Sequence, residues 1–211
     1  KNKNLKKINN NSLVGISIDF ALKFVKSENI YLSSDSKKIL EVGISKKINI
    51  LKRPKFLSHG RVSDIDLILP TLKLIKKKKL NYKYLVYLQP TSPIRKEIHL
   101  KKALNLISTK GYDSIWSISK IDKKFHPLKI LNMNVNGTIK LYSEKGKQII
   151  ARQQLDDLYI RNGVFYIFKI NKIIQHKTIY LNNSYGFEIK NQIVNIDNLD
   201  DLKFARKMLK K

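Results

Sequence analysis

With 211 residues, 42% of them hydrophobic, and no cysteine, the chain is long enough for one domain with a full core, and disulfide and thiolate chemistry are excluded. No apolar run approaches the roughly 18–20 residues of a membrane span, so no membrane partner is expected and a cytoplasmic location is the default. The formal charge of +27 invites a nucleic-acid reading, but only six of the 43 basic residues are Arg and the Lys are scattered among Asn and Ile, as AT-rich codon usage produces; nucleic-acid readers lean on Arg and clustered aromatics, so no nucleic-acid partner is expected.

The first half alternates between helical and strand-like segments, which predicts a βα-repeating α/β architecture. Leu13 to Val25 has apolar residues at helical spacing. Ile30 to Leu32 reads as a strand that ends in Ser33-Ser34-Asp35, where Asp35 either caps the next helix or faces a ligand. Ser36 to Val42 suits a short helix closed by Gly43, and Ile48 to Leu51 is the next strand. Residues Ser63 to Lys78 form a helix that Pro70 kinks or whose start it shifts; the basic run 76–79 then sits at its C-terminus, where cations suit the helix dipole. Tyr84 to Leu88 is short, apolar and rich in β-formers, a buried strand. Glu97 to Lys110 is helical, and Ser114 to Ile118 is another strand. From Lys120 to Asp157 the rhythm changes: His126-Pro127 marks a turn, and Asn136-Gly137 between Ile130-Leu131 and Ile139 to Leu141 predicts a hairpin. The chain returns with a strand over Val164 to Phe168, a short strand near Ile193-Val194 and a closing helix over Leu199 to Leu209.

The stretch Leu88-Gln89-Pro90-Thr91-Ser92-Pro93-Ile94-Arg95 carries the most information. Two prolines stop the preceding strand, since neither can donate to a ladder. Between and after them stand an amide, two hydroxyls and a guanidinium. A polar loop between a strand's carboxyl end and a helix is where open α/β sheets bind ligands.

The octet resembles the Leu-Gln-Pro-Thr-Ser-Pro-x-Arg motif of the acylneuraminate cytidylyltransferases, which activate sialic acids as CMP conjugates. The resemblance runs in order along nearly the whole chain. Lys3-Asn4-Leu5 is similar to the end of the family's nucleotide loop, and Ser34-Asp35 to its Ser-Thr-Asp. Arg53-Pro54 with Leu57 resembles the Arg-Pro-x-x-Leu segment beside the nucleotide. His126-Pro127-Leu128-Lys129, Arg152-Gln153-Gln154-Leu155 and Asn162-Gly163-x-x-Tyr166 resemble segments of the sugar pocket. Ile196-Asp197 before Asp200-Asp201-Leu202 resembles the acidic metal motif and closing helix. Four of the six Arg (53, 95, 152 and 161) fall within or beside these motifs.

The resemblance implies a single domain with a Rossmann-like three-layer sheet of the nucleotide-diphospho-sugar transferase type, and an inserted dimerisation arm at 120–158. It implies CMP transfer from CTP to a nonulosonic (sialic-type) acid, with Lys3, Asn4, Asp35 and Arg53 at the nucleotide. Gln89, Arg95, Lys129, Arg152, Asn162 and Tyr166 would bind the sugar acid. Lys3, Arg152 and Asp197 would be catalytic, and Asp197 and Asn195 would hold magnesium. A carboxylate with many hydroxyls calls for cations and amides together, and those residues supply both. Taken singly, Asn162-Gly163 reads as a turn, Tyr166 as core, His126 as a loop residue, and Asp197 as readily a helix cap as a ligand.

The chain departs from the family in four places. The first strand and phosphate loop that would precede Lys3 are absent, which leads us to expect no activity from these 211 residues alone. Gly60 stands where the family carries Asp, Pro70 interrupts a helix, and Asn195 replaces the first Asp of Asp-x-Asp. Three other readings are a nucleotidyltransferase for another sugar acid, a basic nucleic-acid-binding module, and a catalytically dead homologue acting as a scaffold.

Overall fold

The computed structural model describes residues 3–58, 62–77, 81–191 and 193–209. Gly60 and part of the 76–79 run lie outside them. A small antiparallel pair, β1 (Lys7–Ile8) and β2 (Asn11–Ser12), leads into α1 (Leu13–Leu22), whose first turn is capped by the Ser12 hydroxyl accepting from the Gly15 amide. Then come β3 (Tyr31–Ser34), α2 (Lys37–Ser45), β4 (Asn49–Lys52), α3 (Asp64–Lys77), β5 (Tyr84–Tyr87), α4 (Glu97–Lys110) and β6 (Ser114–Lys120). The hairpin β7 (Leu131–Met133) and β8 (Ile139–Leu141) precedes β9 (Tyr159–Lys169), α5 (Ile170–His176), β10 (Ser184–Glu188) and α6 (Leu199–Met208).

The main sheet has the order β10-β6-β9-β5. β10 runs parallel to β6, while β9 runs antiparallel to both β6 and β5. Strand alternation divides its side chains cleanly. Ile115, Phe165 and Ile167 point to one face and meet Leu100, Ala103 and Ile107 of α4 and Phe20 of α1. Trp116, Tyr166 and Phe168 point to the other and meet Ile68, Leu72 and Ile75 of α3 together with Ile173 of α5. Helices on both faces of a sheet make a three-layer α/β arrangement, and each fully buried Ile or Phe contributes about 1.5–3 kcal/mol.

β3 and β4 form a separate parallel pair backed by α1 and α2. Gly43 lies inside α2 and does not close it. A Cβ there would sit 2.8 Å from Ile50 and 2.9 Å from Leu32, so glycine lets the helix settle onto the pair. Helix α1 stops at Leu22, three residues short of the spacing-based expectation. Pro70 remains within α3, which runs through it.

One expected strand does not form. Ile193-Val194 is not a strand; Val194 and Ile196 instead pack with Leu202 and Ala205 of α6 against Ile8 and Leu13. The strand on that flank is β10, whose Ser184-Tyr185-Gly186 opening lacks an alternating apolar pattern and gives no sequence signal. The sheet is also mixed, because β9 enters antiparallel after the long excursion between β6 and β9.

Candidate active site

The octet leaves β5 and turns at once, with the Ser92 amide donating to the Gln89 carbonyl at 3.0 Å. Ser92 is fully buried, and its hydroxyl donates to the Asn162 carbonyl at 2.9 Å. The Arg95 guanidinium reaches three elements: Nε donates to the Val164 carbonyl (2.8 Å), Nη1 to the Ser17 hydroxyl (3.1 Å) and Nη2 to the Gln89 carbonyl (2.6 Å). Ile196 then donates its amide to the Thr91 carbonyl at 2.8 Å, which brings the acidic segment alongside the loop.

Against this loop lies an irregularity in β9. Trp116 pairs with Tyr166 and Ile118 with Arg161, so four residues of β9 span the place opposite Ser117. Asn162-Gly163 is therefore a bulge within a strand, not a turn between strands. Gly163 has φ +73°, and a Cβ on it would lie 2.6 Å from both the Gln89 side-chain oxygen and the Ser92 hydroxyl. The bulge's polar groups are satisfied internally. Asn162 Oδ1 accepts from the Ser117 hydroxyl (2.6 Å) and the Val164 amide (3.2 Å), while its Nδ2 donates to Ser119 (3.0 Å). Tyr166 accepts from the Gly163 amide through its phenol oxygen at 3.0 Å, and burial raises its pKa.

A second group stands at the ends of β3, β4 and β5. Arg53 Nη2 is 3.4 Å from Asp35, and its Nε donates to Ser58 at 3.2 Å. Asp35 does not cap α2. Tyr87 donates to Asp64 at 3.1 Å, and burial first, then that carboxylate, pushes the phenol pKa well above its usual value. Its ring stacks on Tyr166 with centroids 6.4 Å apart, linking this group to the bulge.

Lys3 and Asp197 form a third group, joined by an ion pair at 2.7 Å. Asn4 follows Lys3 in the same short 3-10 turn. Asp197 is not the helix cap; Asn198 and Asp201 fill that role, with Asp201 accepting from the amides of Asp197 and Asn198. Those two amides, the first of them foremost, hold the Asp201 carboxyl below its ordinary range. Asn195 and Asp197 are both exposed, with buried Ile196 between them, so they share one side. Among the described residues there is no group of three or more His, Cys, Asp or Glu that could enclose a metal. One carboxylate and one amide oxygen do fit a magnesium ion that keeps waters and shares a substrate's phosphates.

The remaining expected residues lie on the excursion between β6 and β9. Arg152 pairs with Asp122 at 2.7 Å and is exposed, in an open cleft lined by Lys120, Ile121, Asp122, Lys123 and Gln153. The Lys124 amide is foremost in holding the Asp122 carboxyl below its usual range. Lys129 is exposed; His126, before it, is buried and accepts from the Leu128 amide through Nδ1. Among the described residues no hydrogen bond or ion pair joins Lys129 or Arg152 to Gln89, Asn162 or Tyr166. The structure thus gathers Gln89, Arg95, Asn162 and Tyr166 into one unit, links Asp35 with Arg53 and Lys3 with Asp197, and leaves Lys129 and Arg152 on a separate rim.

Sequence reasoning missed several members. Ser117, as donor to Asn162, and Ser119, as acceptor from it, are invisible until β6 is paired with the bulge. Arg161 lies 5.2 Å over Trp116 and 5.6 Å over Tyr180, whose rings stack on each other. Its position beside Asn162 in an Arg-poor chain was the available signal. Tyr180 had none.

A family described as cytidylyltransferase matches residues 1–210. The chain is 24% identical over 204 residues to the N-acylneuraminate cytidylyltransferase of Streptococcus agalactiae serotype V, covering 94% of this chain and 47% of that protein. It is 23% identical over 201 residues to the pseudaminic acid cytidylyltransferase of Campylobacter jejuni serotype O:2, covering 94% of this chain and 85% of that one. It spans about half the length of the streptococcal relatives it matches. Among solved structures, CMP:2-keto-3-deoxy-manno-octonic acid synthetase complexed with CTP superposes with a TM-score of 0.67 at 11% identity, over 98% of this chain and 91% of that one. That likeness shows a shared nucleotidyltransferase fold.

Proposed function

The chain belongs to the cytidylyltransferase family, and we propose that it serves to transfer CMP from CTP to a nonulosonic, sialic-type sugar acid with release of pyrophosphate. The observation that carries this reading is the interlock of the octet loop with the β9 bulge, which brings Gln89 against Gly163 beside Tyr166. The streptococcal and Campylobacter relatives, named for N-acylneuraminate and pseudaminic acid cytidylyl transfer, support the same substrate class.

In the reaction, a sugar hydroxyl attacks the α-phosphorus of CTP and pyrophosphate leaves on the opposite side. The protein's contribution is positioning and charge. Gln89 offers an amide to the sugar hydroxyls. Asn162, whose amide oxygen already accepts twice and whose Nδ2 donates to Ser119, shapes the pocket floor. Arg152 and Lys129 offer cations to the sugar carboxylate from the rim. Arg53 and Lys3-Asn4 face the nucleotide. Asp197, with Asn195, would hold magnesium, which neutralises phosphate charge when bound. Lys3 keeps Asp197 paired otherwise.

Among the described residues no helix is long and apolar enough to cross a membrane. A cytoplasmic location, with access to the CTP pool, is the setting this reading proposes. A homodimer built through the 120–158 arm is the corresponding assembly, since Leu131, Met133, Ile139 and Tyr142 expose apolar surface there.

The test is pyrophosphate release by the gene's full product, supplied with CTP, magnesium and sialic, legionaminic or pseudaminic acid. Release that requires both CTP and one of these acids is expected. Release with another nucleotide only, or with none of the acids, would overturn the reading.

A further inference from the structure

Arg95 invites the role of carboxylate ligand, because an Arg in a polar loop usually offers two parallel N–H groups to an acid. Its surroundings argue differently. Each of its three nitrogens already has an acceptor on a different element: the Gln89 carbonyl in the loop, the Val164 carbonyl in β9 and the Ser17 hydroxyl in α1. Three of its five N–H groups, one on each nitrogen, are thereby committed, and with Nε taken the side edge cannot offer a carboxylate two parallel N–H groups. The Phe20 ring lies beneath it at 5.8 Å, and Ser17 is itself buried. Among the described residues no carboxylate pairs with it. A weakly hydrated, planar cation is the side chain best suited to such a place, since it can donate in several directions at once. Burial lowers its pKa to about 9, which leaves it charged at neutral pH.

We propose that Arg95 is a positioning residue that aims Gln89 at the sugar acid by holding the Gln89 and Val164 carbonyls and Ser17 together, and does not itself touch substrate. The reading of Gln89 as a sugar ligand underlies this. The Gln89 carbonyl takes both the Ser92 amide and Arg95, so its backbone is fixed from two sides. Its side-chain oxygen lies against the bulge, where only glycine leaves room. Arg95 grips that same bulge one residue on, at Val164. A shift of the guanidinium therefore moves loop and bulge relative to each other.

The experiment is a double-mutant cycle in the gene's full product, with KM measured separately for sugar acid and CTP. Arg95→Lys keeps the charge but its ammonium cannot serve all three acceptors. It should raise the sugar-acid KM by about tenfold, as the loss of one or two hydrogen bonds would, with the CTP KM unchanged. In a Gln89→Ala background the same change should raise the sugar-acid KM less than about twofold, because its effect passes through Gln89. Ser17→Ala, which leaves Arg95 in place but frees one nitrogen, should give a smaller shift of the same kind and lets the proposal be tested even if Arg95→Lys folds poorly. Multiplying effects of Arg95→Lys and Gln89→Ala, or an Arg95→Lys defect that disappears with the methyl ester of the sugar acid, would mean direct carboxylate contact and overturn the proposal alone. An unchanged sugar-acid KM in Gln89→Ala by itself would overturn the sugar-site reading and this proposal with it.

Discussion

The loop–bulge unit and the rim between β6 and β9 use polar residues in opposite ways. In the first, Ser92, Ser117 and Asn162 are buried, and each makes at least one hydrogen bond to another part of the fold. In the second, Arg152 with Asp122 and Lys120 with Asp157 are ion pairs between half-exposed side chains. Buried, satisfied networks fix geometry and are expensive to break, whereas exposed pairs contribute about 0–1 kcal/mol and rearrange readily. On the function proposed above, the buried unit would be a fixed floor for the sugar and the exposed ion pairs a rim of charges that an anionic substrate could re-pair.

The strongest way to break that contrast is Gly163→Ala. It forces a side chain into the left-handed region, at about 1–2 kcal/mol, and into contact with Gln89 and Ser92, at about 1–3 more. Urea unfolding should show a loss of roughly 2–5 kcal/mol, and a loss below about 0.5 would mean the bulge is not a fixed element. Asn162→Ala should come next, at about 1–3 kcal/mol, because it leaves the Ser117 hydroxyl and the Val164 amide buried without their acceptor. Arg152→Ala should leave stability within about 0.5 kcal/mol of the parent by the same measurement, since its pair is open to water. A drop comparable to that of Asn162→Ala would erase the distinction between floor and rim.

The smallest expected effect concerns pH. Asp201 is held below the ordinary aspartate range by backbone amides at the start of α6. A depressed folded-state value means that its contribution is fully present above the unfolded value near 3.8 and is lost as pH falls through the folded one. NMR titration should place its midpoint below that of an unpaired aspartate. In Asp201→Asn the α6 amides should lose their protection without any dependence on pH in that window.

How much of this was legible in the sequence depended on whether a signal was local. Helix α4 was read to its ends because Glu97 to Lys110 combines periodicity with a following glycine. The octet loop was found because its two prolines and polar side chains announce themselves. Taken singly, Asn162-Gly163 read as a turn, since that pair suits a turn and a bulge equally and only pairing with β6 decides between them. Arg95 was given to the sugar acid by the family resemblance; its three acceptors lie 6, 69 and 78 residues away, where no local pattern reaches. Gly43 looked like a helix stop because its real constraint, the approach of Leu32 and Ile50, comes from another element.

The division of labour between floor and rim is tested most directly by the ionic-strength dependence of the sugar-acid KM in Gln89→Ala and Arg152→Ala, each at saturating CTP. A neutral hydrogen bond to the floor should give a Gln89→Ala defect that stays constant as salt rises, while screening should shrink the Arg152→Ala defect. The CTP KM should be unchanged in both. A collapse of CTP affinity in either variant, or an Arg152→Ala defect as insensitive to salt as that of Gln89→Ala, would contradict the account.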